Sequence, residues 1–550
     1  MTDTFTLPDI SNCLTCPHPP GTGRWFGHPK TLAFTSEGIR QKLEDLSSRC
    51  FVVRDESGAV GLAGNIGTDN PAELARLELI AMLPAFQPGQ LGDPTFRQTY
   101  GLQYNYMAGA MANGIASAEL VIALGKAGML ASFGAGGLVP DRIERAIDTI
   151  QAALPDGPYA VNLIHSPSEE ALERRGVEIF LRKGVRVIEA SAFLALTSHV
   201  VRYRVAGLRQ NPDGSVHIGH RIIAKVSRLE VAAQFIQPAP ESFLKPLLEA
   251  GLITAEQARL AALVPMADDI TVEADSGGHT DNRPLVCLLP AVVTLRDQLQ
   301  QQFNYPQPVR VGAAGGIGTP EAVLGAFSMG AAYVVTGSIN QSCRESGSSD
   351  HVRKVLAQAD MTDTIMAPAA DMFEMGVKLQ VLKKGTLFGL RAQKLLDLYL
   401  AYDNWVEVPE KDRQNLEKTL FRDTYDQIWQ HCAAFFQERD PEQIVRAENN
   451  PKRKMALVFR WYLGLSSAWA NRGEAGRELD YQIWCGPAMG AFNQWVKGSR
   501  LENWEHRRVA DVAIQLLHGA AYLSRLQYLV LHGVQAGAAL KRVRIRHSEA

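Results

Sequence analysis

From about Gln103 the chain settles into a repeating texture. Short apolar runs end in Gly, Ser, Asn or Asp, and they alternate with stretches whose apolar residues recur every third or fourth position. The first pattern suits strands buried on both faces and the second suits helices, so their alternation predicts a parallel sheet built from βα units. The candidate strands are Tyr104–Met107, Met129–Ser132, Tyr159–Leu163, Val185–Glu189, Arg221–Lys225, Ile270–Glu273, Arg310–Gly312 and Tyr333–Thr336. Pro140–Ala153, Ser168–Lys183 and Pro320–Met329 are the clearest helices between them. Polar or glycine residues at nearly every C-terminal strand end predict an α/β fold, a closed (β/α)₈ TIM barrel with its site on that face. An open doubly wound sheet is the alternative.

The flanking regions read differently. Residues 1–95 place turn signals (Pro19-Pro20-Gly21, Glu56-Ser57-Gly58) between short strand-like runs such as Cys50–Val53, which predicts a small mixed α/β lead-in. The barrel is expected over 96–370. Residues 371–550 show helical spacing in Leu382–Tyr402, Glu410–Glu438, Arg453–Asn471, Ala488–Lys497 and Asn503–Gly533. They predict a helical domain serving substrate, carrier protein or dimer contacts, with Trp461, Trp484, Trp495 and Trp504 as packing residues.

Composition narrows the function classes. The 550 residues are 46% hydrophobic and 21% charged, which is ample for a large core. A net charge of −2 supplies no global field for nucleic acid. No basic-then-apolar leader opens the chain and no run of about 18 uncharged apolar residues spans a membrane, while the seven cysteines are scattered; a cytoplasmic protein is expected. Cys13 and Cys16 form one CxxC beside His18, short of the four ligands of a structural zinc site, so no metal is expected. The basic tail Lys541–Arg546 reads as a solvated terminus.

Two glycine loops carry the strongest chemical signal. Gly312-Ala313-Ala314-Gly315-Gly316-Ile317-Gly318-Thr319-Pro320 and Thr336-Gly337-Ser338 each run from an apolar strand into glycine, and Thr319 is a candidate N-cap for the helix that follows the first. Glycine lets backbone amides approach a phosphate, and loops after barrel strands 7 and 8 are where such sites recur. The second signal is Glu273-Ala274-Asp275-Ser276-Gly277-Gly278-His279 at the end of strand 6, which brings an imidazole to the barrel mouth. There it can donate a proton or hydrogen bond near neutral pH. Small residues Ala108, Gly109 and Ala110 after strand 1, and Ser132 at strand 2, leave room for a planar ring. Asn162 ends strand 3, and Lys225 ends strand 5, where it either stabilises a reduced flavin or forms an inward salt bridge. No dinucleotide-binding fingerprint stands out, so a Rossmann domain is not expected.

Together these loops resemble the nitronate monooxygenase/FMN enoyl-reductase superfamily. Ala314–Pro320, Thr336–Gln341, Asp371–Leu382 and Gln482–Asn493 resemble the PfaD-type enoyl reductases of polyunsaturated fatty acid and trans-acyltransferase polyketide synthases. The resemblance implies an oxidoreductase that binds FMN, is reduced by NADPH, and acts in trans on α,β-unsaturated thioesters held by acyl carrier protein. It also implies a homodimer formed through the C-terminal helices. Carried onto this chain, Gly315, Gly316, Gly337 and Ser338 would hold the FMN phosphate, with Ala314 also binding the cofactor. Ala108, Gly109, Ala110, Ser132, Asn162, Lys225, Asp275, Gly277 and Gly278 would line the flavin, with His279 and Lys225 catalytic. One departure is Asp275-Ser276 where relatives often place Glu-Ala before Gly-Gly-His. Arg391, Lys394, Lys383 and Lys384 are candidates for a basic surface that receives the acidic carrier. A nitronate-oxidising flavoenzyme and a non-catalytic flavin-barrel scaffold are the competing readings.

Overall fold

The computed structural model of the protein describes residues 14–15, 23–64, 74–165, 170–439 and 441–546. Cys13, Cys16, His18, the Pro19–Gly21 turn and the first residues of the helix expected from Ser168 lie outside them. The chain divides into two compact units. One comprises residues up to Asp93, Thr319–Ser328 and the segment from Asp511; the other comprises Pro94–Gly318 and Met329–Ala510.

The larger unit contains the barrel. Its strands are β1 (Tyr106–Ala108), β2 (Leu130–Phe133), β3 (Ala160–Ile164), β4 (Val187–Ser191), β5 (Arg221–Val226), β6 (Asp269–Glu273), β7 (Arg310–Ala314) and β8 (Val334–Thr336). Consecutive strands pair in parallel, and the ring closes through Val334↔Tyr106, Val335↔Met107 and Thr336↔Ala108. The open-sheet alternative is thereby excluded, and all eight expected runs supply barrel strands.

The N-terminal end of the barrel is sealed. Helix Pro94–Tyr100 packs Phe96 flat on Tyr333, ring centroids 4.0 Å apart. Tyr100 donates to Asp269 Oδ2 at 2.5 Å, and Arg310 grips the same carboxylate through two bonds of 2.6 and 2.9 Å. Asp269 and Arg310 are buried, so each charge depends on the other for compensation. With this end filled, the C-terminal rim is where a ligand can enter.

After β8 come two strands, β9 (Thr364–Pro368) and β10 (Lys378–Leu382), paired antiparallel, and then helices that include Phe388–Ala401, Pro451–Arg472 and Ala488–Val496. Arg422 at φ 57° ends the helical stretch begun at Glu410 and Tyr425 starts the next helix, so the single helix expected over Glu410–Glu438 is broken there. Buried Asp480 gathers Arg391, Arg422, Arg477 and the Tyr462 hydroxyl and ties these helices together. Trp461 packs edge-on against Trp469, ring centroids 6.0 Å apart, the packing role expected of it.

The smaller unit holds a five-stranded antiparallel sheet, in the order Gly23–Gly27, Ala75–Leu83, Cys50–Arg54, Val60–Ala63, Leu32–Ala33. The expected Glu56-Ser57-Gly58 turn joins two of these strands, with Gly58 at φ 85° and Asp55 Oδ1 accepting from the amides of Ser57 and Ala59. Arg525, on helix Val509–Leu531, donates to the carbonyls of Leu43, Asp45 and Ser48 at and just beyond the end of helix Ser36–Glu44. The basic tail is not a free terminus. Arg544 pairs with Glu37, and Arg546 contacts His518 and Gln515. Among the described residues no helix is long and apolar enough to cross a membrane, and none form a group able to hold a metal.

Candidate active site

The C-terminal ends of β1 to β8 bring most of the expected residues to one rim. Ala108 closes β1. The Gly109 amide then donates to Thr336 O at 3.0 Å, and the Ala110 amide to Glu189 Oε2 at 2.7 Å. Ser132 is buried in β2. Asn162 in β3 donates to Glu189 O and Ser191 Oγ, both at 3.0 Å, locking β3 to β4. Lys225 in β5 pairs with Glu273 of β6 at 3.2 Å, and buried Glu189 of β4 lies near enough to act on both. Burial, the largest influence on Lys225, would strip its proton, but Glu273 and Glu189 outweigh it and its pKa rises. Burial also raises the Glu189 pKa, tempered by Lys225, the Ala110 amide and the neighbouring Ser132 hydroxyl. The inward salt bridge of Lys225 is therefore present, at the mouth itself.

The Gly-Gly-His loop is held by residues far along the chain. Gly278, at φ 82°, and His279 form a short strand antiparallel to β10, with Gly278↔Gln380 and His279↔Leu379. Gln380 Nε2 donates to Asp275 Oδ1 and Ser276 O, both at 2.7 Å, and Asn282 donates to the same Asp275 oxygen at 2.9 Å. Asp275 thus braces the loop, and Asp281 is engaged by Arg228 and Ser227.

His279 Nε2 lies 3.1 Å from Asp371 Oδ1. Burial, the largest influence, would depress the imidazole pKa; the hydrogen bond and charge of Asp371, with Glu273 behind, overcome it and the pKa is raised. The Asp371 carboxyl is held low despite its own burial, chiefly by the bond to His279. His279 keeps 34% of its side-chain surface accessible.

The two glycine loops stand side by side, because β7 and β8 pair through Ala314↔Val335. Gly315 (φ 86°) and Gly316 (φ 73°) both need the left-handed conformation that glycine permits. A Cβ on Gly315 would strike the Ala274 carbonyl carbon at 2.6 Å, which sets this loop against the end of β6. Ser338 Oγ accepts from the Gly486 amide at 2.9 Å. Cys343, next in line after this loop, is buried.

Glu189, Glu273, Asp371, Gln380 and Gly486 also belong to the site, and sequence reasoning gave none of them a role. Acidic residues at the ends of two apolar runs were the available signal for Glu189 and Glu273. The expected basic surface is largely neutralised: Arg391 is spent on Asp480, Lys394 pairs with Asp412 at 2.9 Å, and Lys384 pairs with Asp363 at 3.3 Å. Lys383 is exposed.

Comparisons with known proteins agree with this fold. The nitronate monooxygenase family model matches residues 97–387. The model of the PfaD N-terminal domain of fatty acid synthases matches 25–85, and that of the inserted helical domain of acyl-carrier-protein S-malonyltransferase matches 402–481. The chain is 56% identical over 448 residues to a component of the polyunsaturated fatty acid synthase of Thraustochytrium, covering 80% of this chain and 30% of that one. It is 48% identical over 434 residues to the polyketide biosynthesis protein PksE of Bacillus subtilis, covering 79% and 56% respectively. The chain thus spans only part of these curated relatives. The crystal structure of the enoyl reductase domain of MlnA, from the macrolactin biosynthesis cluster of Bacillus amyloliquefaciens, matches with a TM-score of 0.77 and 42% identity, covering 80% of this chain and 99% of that one. The chain belongs to the nitronate monooxygenase family of oxidoreductases, on its PfaD-type branch.

Proposed function

We propose that the protein reduces the carbon–carbon double bond of an α,β-unsaturated thioester carried on acyl carrier protein, using FMN and NADPH and acting in trans in polyketide or polyunsaturated fatty acid assembly. The observation that carries this reading is His279, paired with Asp371 at the barrel mouth on the same rim as two adjacent glycine loops.

FMN suits the residues present. No atom lies within 4 Å of where a Cβ on Gly316 or Gly337 would stand, so a phosphate can approach both backbones. Ala314, Gly315, Gly316, Gly337 and Ser338 would hold the phosphate; Ser338 accepts from Gly486 and keeps its own proton to donate. Ala108, Gly109, Ala110, Ser132, Asn162, Gly277 and Gly278 would line the ring, with Asp275 holding its loop in place. Bound there, FMN would supply the route for hydride from NADPH to the β-carbon of the alkene.

The protein's own groups do the rest. His279 gives Nε2–H to Asp371, and its Nδ1 takes no hydrogen bond from the described residues. In the imidazolium form, which Asp371 favours, Nδ1–H is free to polarise the thioester oxygen or to protonate the α-carbon. Lys225, kept charged by Glu273 and Glu189, would supply a positive charge to a flavin bound there. The likeness of 402–481 to an acyl-carrier-protein transferase insertion supports a carrier-borne substrate.

The test is NADPH oxidation dependent on crotonyl carrier protein, with His279→Ala beside it. Single-turnover alkene reduction within threefold of wild type would remove His279 from the mechanism; a loss of about 10²–10⁴ is expected of a general acid. The nitronate monooxygenase match favours a second reading, oxidation by oxygen. Anaerobic stopped-flow of the reduced protein against crotonyl carrier protein and then against oxygen separates the two by which acceptor reoxidises it faster.

A further inference from the structure

Beyond the hydrogen bond from Gly486 to Ser338, Trp484-Cys485-Gly486-Pro487-Ala488 has no task in the reaction just described, yet it threads between three loops of the rim. A Cβ on Gly277 would stand 2.8–2.9 Å from backbone atoms of Cys485, and one on Gly486 would stand 2.8 Å from Gly277 N and 3.0 Å from Ser276 C. One on Gly318 would stand 2.3 Å from Ala488 O. Each of these three contacts is backbone against backbone with room for hydrogen alone. The Gly486 amide bonds Ser338 Oγ at 2.9 Å, the Cys485 amide reaches Gln380 O at 3.4 Å, and Trp484 bridges Val381 of β10, the strand that pairs with Gly278–His279. One short segment therefore touches the His279 loop on one side and both glycine loops on the other.

We propose that Trp484–Ala488 is a clasp coupling the phosphate end of the cofactor site to the His279 loop, with Gly486 as its positioning residue. Gly486 is the point where the two sides meet. Its amide sets which way the Ser338 hydroxyl presents its proton, and its Cα packs on the Ser276–Gly277 peptide that leads to His279. A displacement at Gly486 moves the amide that holds Ser338 Oγ and at the same time presses on the Ser276–Gly277 peptide, which is backbone and cannot yield as the end of a flexible side chain could. The inference rests on the two glycine loops being the FMN phosphate site.

The experiment uses the full chain, stripped of flavin and titrated with FMN by fluorescence quenching, followed by the pH profile of enoyl-dependent NADPH oxidation at saturating FMN. Gly486→Ala is compared with Gly464→Ala, a site inside helix Pro451–Arg472 with nothing within 4 Å of the added Cβ. Gly486→Ala is expected to weaken FMN at least tenfold and to displace the alkaline limb of the profile, whereas Gly464→Ala does neither. A folded Gly486→Ala protein with wild-type FMN affinity, or with weakened FMN and an unmoved limb, overturns the coupling. Should Gly486→Ala not fold by circular dichroism, Ser338→Ala decides. A weaker FMN affinity together with a moved limb sustains the clasp, and either one unchanged overturns it. A wild-type protein that binds no FMN brings down the functional reading first, and is told apart by that.

Discussion

Asp371→Asn isolates the charge that faces His279 while keeping the shape of the side chain. The wild-type contact is 3.1 Å, with 34% of the His279 and 49% of the Asp371 side-chain surface accessible. Hydrogen bonds to charged groups contribute about 1.5–3 kcal/mol when shielded, but exposed ion pairs only about 0.2–1 kcal/mol. Exposure of this extent brings the pair down to about 1 kcal/mol, or roughly fivefold in an equilibrium. The sign follows from the opposing influences on the imidazole. Burial pulls its pKa down and Asp371, with Glu273, pulls it up, so removing Asp371 lowers it and the imidazolium is lost at a lower pH. Enoyl-dependent NADPH oxidation measured across the pH range should show the alkaline limb displaced toward acid. The rate deficit should be roughly fivefold above the limb and vanish on the acid side, where both proteins are protonated. A limb that stays put, or an equal loss at every pH, would refute the argument and reduce Asp371 to a structural residue.

Other tests probe the scaffold. Arg310→Met strands buried Asp269 and should cost about 3–5 kcal/mol in urea unfolding, whereas Arg310→Met/Asp269→Leu should recover at least half; a single-variant loss under about 1 kcal/mol would contradict the buried pair. Burial, aided by Arg546, depresses His518 to about 4. The folded state therefore holds its imidazole neutral while the unfolded chain takes up a proton below its ordinary value of 6.5, and stability is lost as pH falls through that range. His518→Gln should flatten the drop in thermal midpoint between about pH 7 and 5, and an unchanged slope would count against it.

The barrel was legible because each strand is buried on both faces and so reads as a largely apolar run; several observed strands simply extend one or two residues further than expected, as Arg310–Ala314 does beyond Gly312. The glycine loops and His279 were legible because a turn chemistry and a functional group coincide within a few residues. Partnerships across long separations were not. His279 meets Asp371 92 positions away, Gln380 meets Asp275 105 away, and Gly486 meets Ser338 148 away. No local periodicity records such distances, so Asp371–Leu382 and Gln482–Asn493 stood out only as family-like stretches. The helix broken at Arg422 was missed for the opposite reason, since apolar spacing continues across a single left-handed residue. Likewise a row of lysines and arginines does not show in sequence that Asp480, Asp412 and Asp363 have already claimed most of it.

The segment that closes over the rim loops emerges from the ribosome long after the strands it braces. The last barrel strand ends at Thr336, and Ala488 follows 152 residues afterwards. At about 5–20 residues per second this is a delay of roughly eight to thirty seconds, in which a nascent barrel can shut its staves while its rim stays unbraced. Vectorial synthesis thus makes the competent centre assemble well behind its own scaffold, and a product truncated anywhere between residues 336 and 484 would be a barrel with an unfinished mouth.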